Sequence, residues 1–302
     1  MFETPKWLGR ARNVALKPVG KVSSFRKLAM GTWDDPRDPQ IYGTLTLRME
    51  NALAYIEDYR RATGRRLTVT HLVAKAVAQA LAEVPETNAL IRRNRPQQRE
   101  DVSVFFSIAT EDPDTGEIDL SGAKLDQVDR MDIADVLDAL EDAVRSVRSG
   151  EDEAIERSKG IFASLPFAAM RPLLNAISLG LYGLDLDLTR LGLPKDPFGS
   201  AIVTNIGSLG LSEAYAPLMA YTRTPILLAV GAVRDEPVVE DGRVVPGKVM
   251  GIHATLDHRL IDGKHAALLS RVITRAMEDP ATAFGVIPSR GATVSELKEA
   301  AS

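Results

Sequence analysis

The 302-residue sequence contains no cysteine, only four histidines and an aromatic content of 5%. The absence of cysteine excludes a disulfide scaffold, a thiolate zinc site and a cysteine acyl-enzyme. The first residues, MFETPKWLGRARNV, hold no apolar run of the secretory kind, so a cytoplasmic protein is expected. Lysine and arginine number 37 against 41 acidic residues, and the net charge of −4 predicts no nucleic-acid partner.

Helices and strands alternate along the sequence, which is typical of a mixed-sheet α/β domain. Helical spacing of apolar residues predicts helices at 47–62, 68–84, 132–148 and 263–277. β-Branched and aromatic runs predict strands at 102–109, 200–204, 226–233 and 249–257. A hairpin is predicted at 237–245, with Asp241-Gly242 at its tip.

One stretch, 161–184, is apolar over the length of a membrane span, with Arg171 as its only charge. Pro166, Pro172 and Asn175 favour broken helices that lie in the core or at a subunit interface. Docking on a membrane surface and a lid over the substrate are the alternatives. We expect protein rather than lipid to cover this stretch, and no membrane association.

Two other patterns fail as functional motifs. Gly242–Val249 (GRVVPGKV) has valine where a phosphate-binding loop needs serine or threonine, and it lies in a hairpin. Three histidines are close in sequence, but no HExxH arrangement frames them, so no metal site is predicted.

The segment GIHATLDHRLIDG (251–263) holds the candidate catalytic residues. Alternation along a strand places His258 on the same side as Ile252 and Leu256, where an apolar environment favours a neutral imidazole that can act as a base. Asp262 follows where the next helix begins. Spacing alone favours a hydrogen-bonded core histidine and a plain N-cap aspartate.

The heptapeptide DHRLIDG resembles the HxxxDG signature that dihydrolipoamide acyltransferases share with chloramphenicol acetyltransferases. Four more segments resemble that family in the family's order, and the set spans most of 22–280. They are SFRKLA (24–29), LTVTHLVAKAVAQALAEVPETNALI (67–91), AIVTNIGSLG (201–210) and ILLAVGAVRDEPVVEDGRVV (226–245).

The resemblance implies a chloramphenicol-acetyltransferase-like two-layer sandwich on a mixed sheet, in one catalytic domain at 22–280. A basic arm at 1–21 precedes it, either solvated or gripping a neighbouring subunit or an anionic partner. A tail at 281–302 follows. The apolar segment at about 151–198 is an insertion relative to the family.

The resemblance also implies roles for particular residues. His258 would remove the proton of a thiol or hydroxyl, which then attacks an acyl-CoA thioester. Asp262 would form a salt bridge with Arg26, and the hydroxyl of Thr204 would donate to the tetrahedral oxyanion. Substrate-binding positions would be Asn205, Gly207 and Gly263.

The expected assembly is a homotrimer, or a multiple of trimers, with active sites between subunits. Coenzyme A enters as the acyl-CoA substrate, and no lipoyl group is expected on this chain. The acceptor would be dihydrolipoamide, with a separate lipoyl-bearing protein or components of a 2-oxoacid dehydrogenase complex as partners. A small hydroxyl or amine acceptor and a catalytically silent scaffold of the same fold are the alternatives.

Overall fold

The computed structural model describes residues 39–93, 95–111, 118–149, 166–189 and 193–287. The described residues, from Pro39 onward, belong to one compact unit. The expectations for the arm, for Arg26 and for the tail beyond residue 287 lie outside the described residues.

Five described helices pack together as one layer of the molecule. They are α1 (Glu50–Thr63), α2 (Val69–Glu83), α3 (Ile133–Ser149), α5 (Gly263–Glu278) and α6 (Pro280–Phe284). Helix α4 (Phe167–Ser178) instead contacts the short turn Ala220–Thr222.

A seven-stranded mixed sheet forms the second layer, in the order β1-β9-β7-β6-β4-β5, with β8 paired to β9. A separate two-stranded sheet pairs β2 with β3. The strands are β1 (Gln40–Arg48), β2 (Ala89–Arg92), β3 (Arg95–Gln98), β4 (Val104–Glu111), β5 (Ile118–Leu125), β6 (Ala201–Asn205), β7 (Ile226–Val230), β8 (Arg234–Glu240) and β9 (Arg243–Asp257).

The hydrophobic core lies between the helices and one face of the sheet. On β9, Met250, Ile252 and Leu256 join this core, as Ala201 and Val203 do on β6. Because side chains alternate along a strand, the residues between them face the opposite side, which we call the open face. The two-layer mixed α/β architecture expected from the sequence is therefore confirmed.

The beginning of the sheet differs from the prediction. Residues 47 and 48 end β1 instead of starting a helix, and α1 begins at Glu50. Strand β1 reads QIYGTLTLR, and most of its residues are exposed or half-buried, so its apolar pattern is weak. Its conformation depends on a nine-residue antiparallel ladder with β9, from Gln40↔Asp257 to Arg48↔Val249.

The described part of the apolar insertion forms α4 and a π-helical turn, Leu179–Gly183. Tyr182 in this turn is buried, whereas Leu179, Leu184 and Leu186 are 56%, 55% and 49% exposed. Within the described ranges, no helix is long and apolar enough to cross a membrane. Coverage of 161–184 by protein is thus incomplete in the single chain and stays a prediction, and 161–165 lie outside those ranges.

His71 is a buried titratable group at the start of α2. Its Nδ1 accepts a hydrogen bond of 3.1 Å from the backbone N–H of Thr68. Burial lowers the pKa of His71 to about 4 from an ordinary value of 6.5. The folded protein therefore keeps this imidazole neutral where the unfolded chain already binds a proton.

We predict that this histidine makes the fold sensitive to acid. Between pH 6.5 and pH 4 only the unfolded state gains the proton, so His71 should lower the free energy of unfolding by about 3 kcal/mol as the pH falls. His71→Gln keeps a Thr-x-x-Gln capping box and should flatten this part of the pH profile in urea denaturation. His265→Gln, at the corresponding position of α5, is the control. It should leave the decrease in the free energy of unfolding between pH 6.5 and pH 4 unchanged.

Candidate active site

His258 lies just beyond the end of β9. The strand ends at Asp257, and the backbone N–H of His258 donates to the carbonyl of Pro39 at 2.8 Å. The side chain is exposed in the single chain, whereas the sequence predicted a sheltered apolar face. Among the described residues, the pairing of β1 with β9 extends no further than Gln40 and Asp257, so β1 does not cover the turn that follows.

The hydrogen bond of the His258 ring determines its tautomer. Nδ1 lies 3.0 Å from the carbonyl oxygen of Ile261, which can only accept, so Nδ1 carries the hydrogen. In the neutral ring Nε2 then has a free lone pair, as a general base requires. Ile261 is completely buried, which holds this carbonyl in place.

An ion pair inside the turn fixes the backbone on the other side of His258. The carboxylate of Asp257 accepts from the backbone N–H of Arg259 at 3.0 Å and from its guanidinium at 2.6 Å. Asp257 is 8% exposed. The sequence analysis assigned no role to these two residues, although both belong to the DHR of the motif.

Asp262 is the N-cap of α5. Its Oδ1 accepts from the backbone N–H of His265 at 2.9 Å, and Nδ1 of His265 accepts from the backbone N–H of Asp262 at 3.3 Å. The same Nδ1 also lies 2.9 Å from Oδ1 of Asp262, so the two side chains are in direct contact. The hydrogen bond from the backbone of His265 lowers the pKa of Asp262. The side chain of Asp262 is 56% exposed, not buried, and the pairing with Arg26 stays a prediction.

Thr204 lies on the open face of β6. No described residue forms a hydrogen bond with its hydroxyl, which leaves that hydroxyl available to a ligand.

The two neighbouring candidate residues have structural contacts. The Asn205 amide donates to the Thr70 hydroxyl at 2.9 Å, and its Oδ1 accepts from the N–H of Ser208 at 3.0 Å. A Cβ on Gly207 would lie 2.7 Å from the backbone nitrogen of Ala232. The binding roles expected for Asn205 and Gly207 therefore stay predictions beside these structural ones.

Within one chain, Thr204 and His258 are far apart. The strand registers align Thr204 with Ala229 and Ala229 with His253, five residues before His258. At about 3.3 Å per residue, His258 lies ~17 Å from Thr204 along the strand direction. Across the sheet the two residues are also separated by two strand spacings of about 4.8 Å each. The two side chains cannot reach one substrate carbonyl in a single chain.

A second buried histidine, His253, holds the loop that follows Thr204 against the sheet by a hydrogen bond. On the open face, Nε2 of His253 donates to the carbonyl of Ser212 at 2.9 Å, and its Nδ1 accepts from the hydroxyl of Thr44 at 3.2 Å. Thr44 also hydrogen-bonds to Tyr215 of the same loop. His253 lies on the face of β9 opposite to Ile252 and Leu256, and the sequence analysis assigned it no role in holding the loop.

Comparisons with known proteins agree with this architecture. The family model for the 2-oxoacid dehydrogenases acyltransferase (catalytic domain) matches residues 32–163 and 196–285. The chain belongs to this family. The matched segments leave out 164–195, which lie within the insertion expected at about 151–198, and that insertion stays a prediction.

One curated relative is a probable mitochondrial dihydrolipoyllysine-residue succinyltransferase component of the 2-oxoglutarate dehydrogenase complex from Schizosaccharomyces pombe. It is 29% identical over an alignment of 131 residues that covers 40% of this chain and 28% of the relative. The chain thus spans less than a third of that relative's length.

Two solved structures share the fold of this chain. The cubic core of the pyruvate dehydrogenase multienzyme complex superimposes with a TM-score of 0.60 at 16% identity, covering 94% of this chain and 99% of that one. Azotobacter vinelandii dihydrolipoamide acetyltransferase gives 0.59 at 16% identity, covering 89% and 99%. In the latter protein the catalytic mechanism was studied through a serine, a histidine and an asparagine, the last two being four positions apart.

We predict that Asp262 stabilises the fold as an exposed cap. Asp262→Ala should lower the melting temperature by a few degrees at pH 7, and Asp262→Asn by less, because asparagine also caps helices. The lowered pKa means that the cap's contribution is present at neutral pH and is lost as the pH falls through the folded value. Unfolding of Asp262→Ala at room temperature would contradict this and favour a buried pair with Arg26.

Two glycines of the candidate site should respond differently to alanine. Gly207→Ala forces the backbone at Ala232 to move and should lower both the melting temperature and turnover. Gly263→Ala meets no atom within 4 Å and should be tolerated at the first position of α5. Thermal unfolding and steady-state kinetics on the pair would check this. Equal losses in both variants would show that the packing contact of Gly207 has no special effect.

Proposed function

We propose that the chain transfers an acyl group between coenzyme A and a thiol acceptor such as dihydrolipoamide. The observation that carries this proposal is the ring of exposed His258, whose Nδ1 is held by the Ile261 carbonyl while Nε2 has no hydrogen-bond partner among the described residues. Family membership supplies the reaction class, and this tautomer supports the base that the reaction needs.

The reaction needs one proton acceptor and no covalent enzyme intermediate. Nε2 of His258 takes the proton of the acceptor thiol, and the sulfur attacks the thioester carbonyl carbon of acyl-CoA. The resulting tetrahedral oxyanion collapses, the bond to the CoA sulfur breaks, and the CoA thiolate takes the proton back from His258. Direct transfer between the two thiols agrees with a sequence that contains no cysteine.

Thr204 is the proposed donor to the oxyanion, and it would come from a neighbouring subunit. Its hydroxyl is free of described partners, but His258 of its own chain is too distant, as the strand registers indicate. A site shared between two copies resolves this distance. A homotrimer, alone or as part of a larger assembly, closes such a head-to-tail interface.

The loop after Thr204 offers a surface for this contact. Four of its apolar side chains are exposed in the single chain, namely Leu209, Leu211, Tyr215 and Met219. His253 and the Thr44–Tyr215 contact hold this loop against the sheet. A rigid apolar surface of this kind suits burial against a second subunit.

The acceptor and the larger partners belong to the proposal as well. Dihydrolipoamide would arrive on a separate lipoyl-bearing protein or on a component of a 2-oxoacid dehydrogenase complex, and the lipoyl group would not be borne by this chain. A cytoplasmic location fits a chain without cysteine.

Release of free CoA from a panel of acyl-CoA esters, with and without dihydrolipoamide, tests the reaction. We expect release only when the dithiol is present. CoA release with a hydroxyl or amine acceptor instead would show that acyl transfer is right and the proposed thiol acceptor is wrong. No CoA release under any condition would favour a catalytically silent scaffold.

Removing the proposed base and removing the proposed oxyanion donor should both lower kcat, for different reasons. His258→Ala should lower kcat by ~10²–10⁴ with an unchanged circular dichroism spectrum, because only proton transfer is lost. Thr204→Val should lower kcat by ~10²–10³ with KM nearly unchanged, because the hydroxyl acts on the transition state. A His258→Ala variant that kept more than about a tenth of wild-type turnover would refute the general-base role.

Mixing the two inactive variants tests the shared site. In a trimer with head-to-tail contacts, each mixed assembly has one interface with both His258 and Thr204 intact. Equal mixing through unfolding and refolding should thus restore about a quarter of the wild-type activity. Wild-type protein carried through the same procedure is the control, and no recovery above the separate variants would place both residues in one chain's site.

A further inference from the structure

An apolar cavity of about 100 Å³ lies between the sheet and the helical layer. Strands β1, β7 and β9 form its floor, and α2 and α5 form its roof. Its lining includes Gly43, Ile226 and Leu256 on the floor and Ala266 and Leu269 on the roof. Only two lining residues, Thr44 and Ser270, are polar. Such a lining favours an aliphatic group over water.

The turn that carries His258 joins the two walls of this cavity. Leu256, on the floor, precedes His258 by two residues, and Ala266, on the roof, follows Asp262 by four. Two residues of extended chain correspond to about 7 Å. An acyl group whose carbonyl lies beside His258 could therefore extend its tail toward this space.

Gly43 leaves one side of the cavity open. It is exposed, and a Cβ built on it would meet no atom within 4 Å. Its φ is not positive, so the backbone does not require glycine here. The missing side chain therefore provides space at the rim, between β1 and α5.

We propose that this cavity binds the aliphatic tail of the transferred acyl group and sets its length. This inference rests on the proposed acyl transfer. An apolar cavity of about 150 Å³ holds the six carbons of benzene, so this one would hold roughly four. The favoured substrates are then short aliphatic acyl-CoA esters rather than acetyl-CoA or long-chain esters.

Adding side-chain volume at the rim tests the proposal. Gly43→Ala and, from the opposite wall, Ala266→Leu should each shift the kcat/KM profile toward shorter chains across straight acyl-CoA esters of two to eight carbons. We expect a loss of about 10-fold or more for the best wild-type substrate, since one methylene in an apolar pocket discriminates by that factor. Turnover of acetyl-CoA should stay within about two-fold of wild type.

Ala267→Leu is the matched control, because Ala267 is the next residue of α5, is exposed and does not line the cavity. Its profile should equal that of the wild type. If Ala266→Leu does not fold, the chain-length profile of Gly43→Ala alone still tests the proposal.

Titration calorimetry with the same CoA esters separates this inference from the proposed function. If wild-type turnover is absent but affinity depends on chain length and shifts in Gly43→Ala, the cavity binds acyl tails and only the reaction is wrong. An unchanged profile, together with a higher melting temperature in Gly43→Ala, would show a packing gap and overturn the inference.

Discussion

The antiparallel ladder between β1 and β9 is the constraint on which the candidate site depends. Its last pair joins Gln40 to Asp257, and the next backbone contact is the hydrogen bond from His258 to Pro39. The ladder thus determines where β9 stops and where the turn that carries His258 begins. The Asp257–Arg259 ion pair and the Ile261 carbonyl then fix the backbone and the ring within that turn.

Close backbone packing just beyond the end of β7 positions the loop that follows Thr204. A Cβ on Gly231 would lie 2.4 Å from the carbonyl oxygen of Ser212, and one on Gly251 would lie 2.7 Å from Nε2 of His253. These glycines let the loop after Thr204 approach the sheet closely enough for His253 to bind it. The loop is thereby held by backbone geometry and by one imidazole, with its apolar side chains exposed.

The two halves of the site belong to different ends of the same sheet. Thr204 aligns with His253, whereas His258 lies five residues beyond it on β9. This separation explains why a single chain offers an unshielded histidine and a threonine hydroxyl without a described partner. It also explains the exposure of His258, since a second subunit would supply the shelter that the sequence led us to expect within one chain.

The sequence by itself determined the elements whose periodicity is strong and local. These include α2, β6, β7, the hairpin at Asp241-Gly242 and α5, and the HxxxDG spacing that places His258 and Asp262 on either side of one turn. Only the tertiary structure decided that 40–48 pair as an edge strand, that Nε2 of His258 holds the lone pair, and that Asp262 is an exposed cap. Each of these depends on a partner distant in sequence or on the end of a ladder, and local pattern carries no information about either.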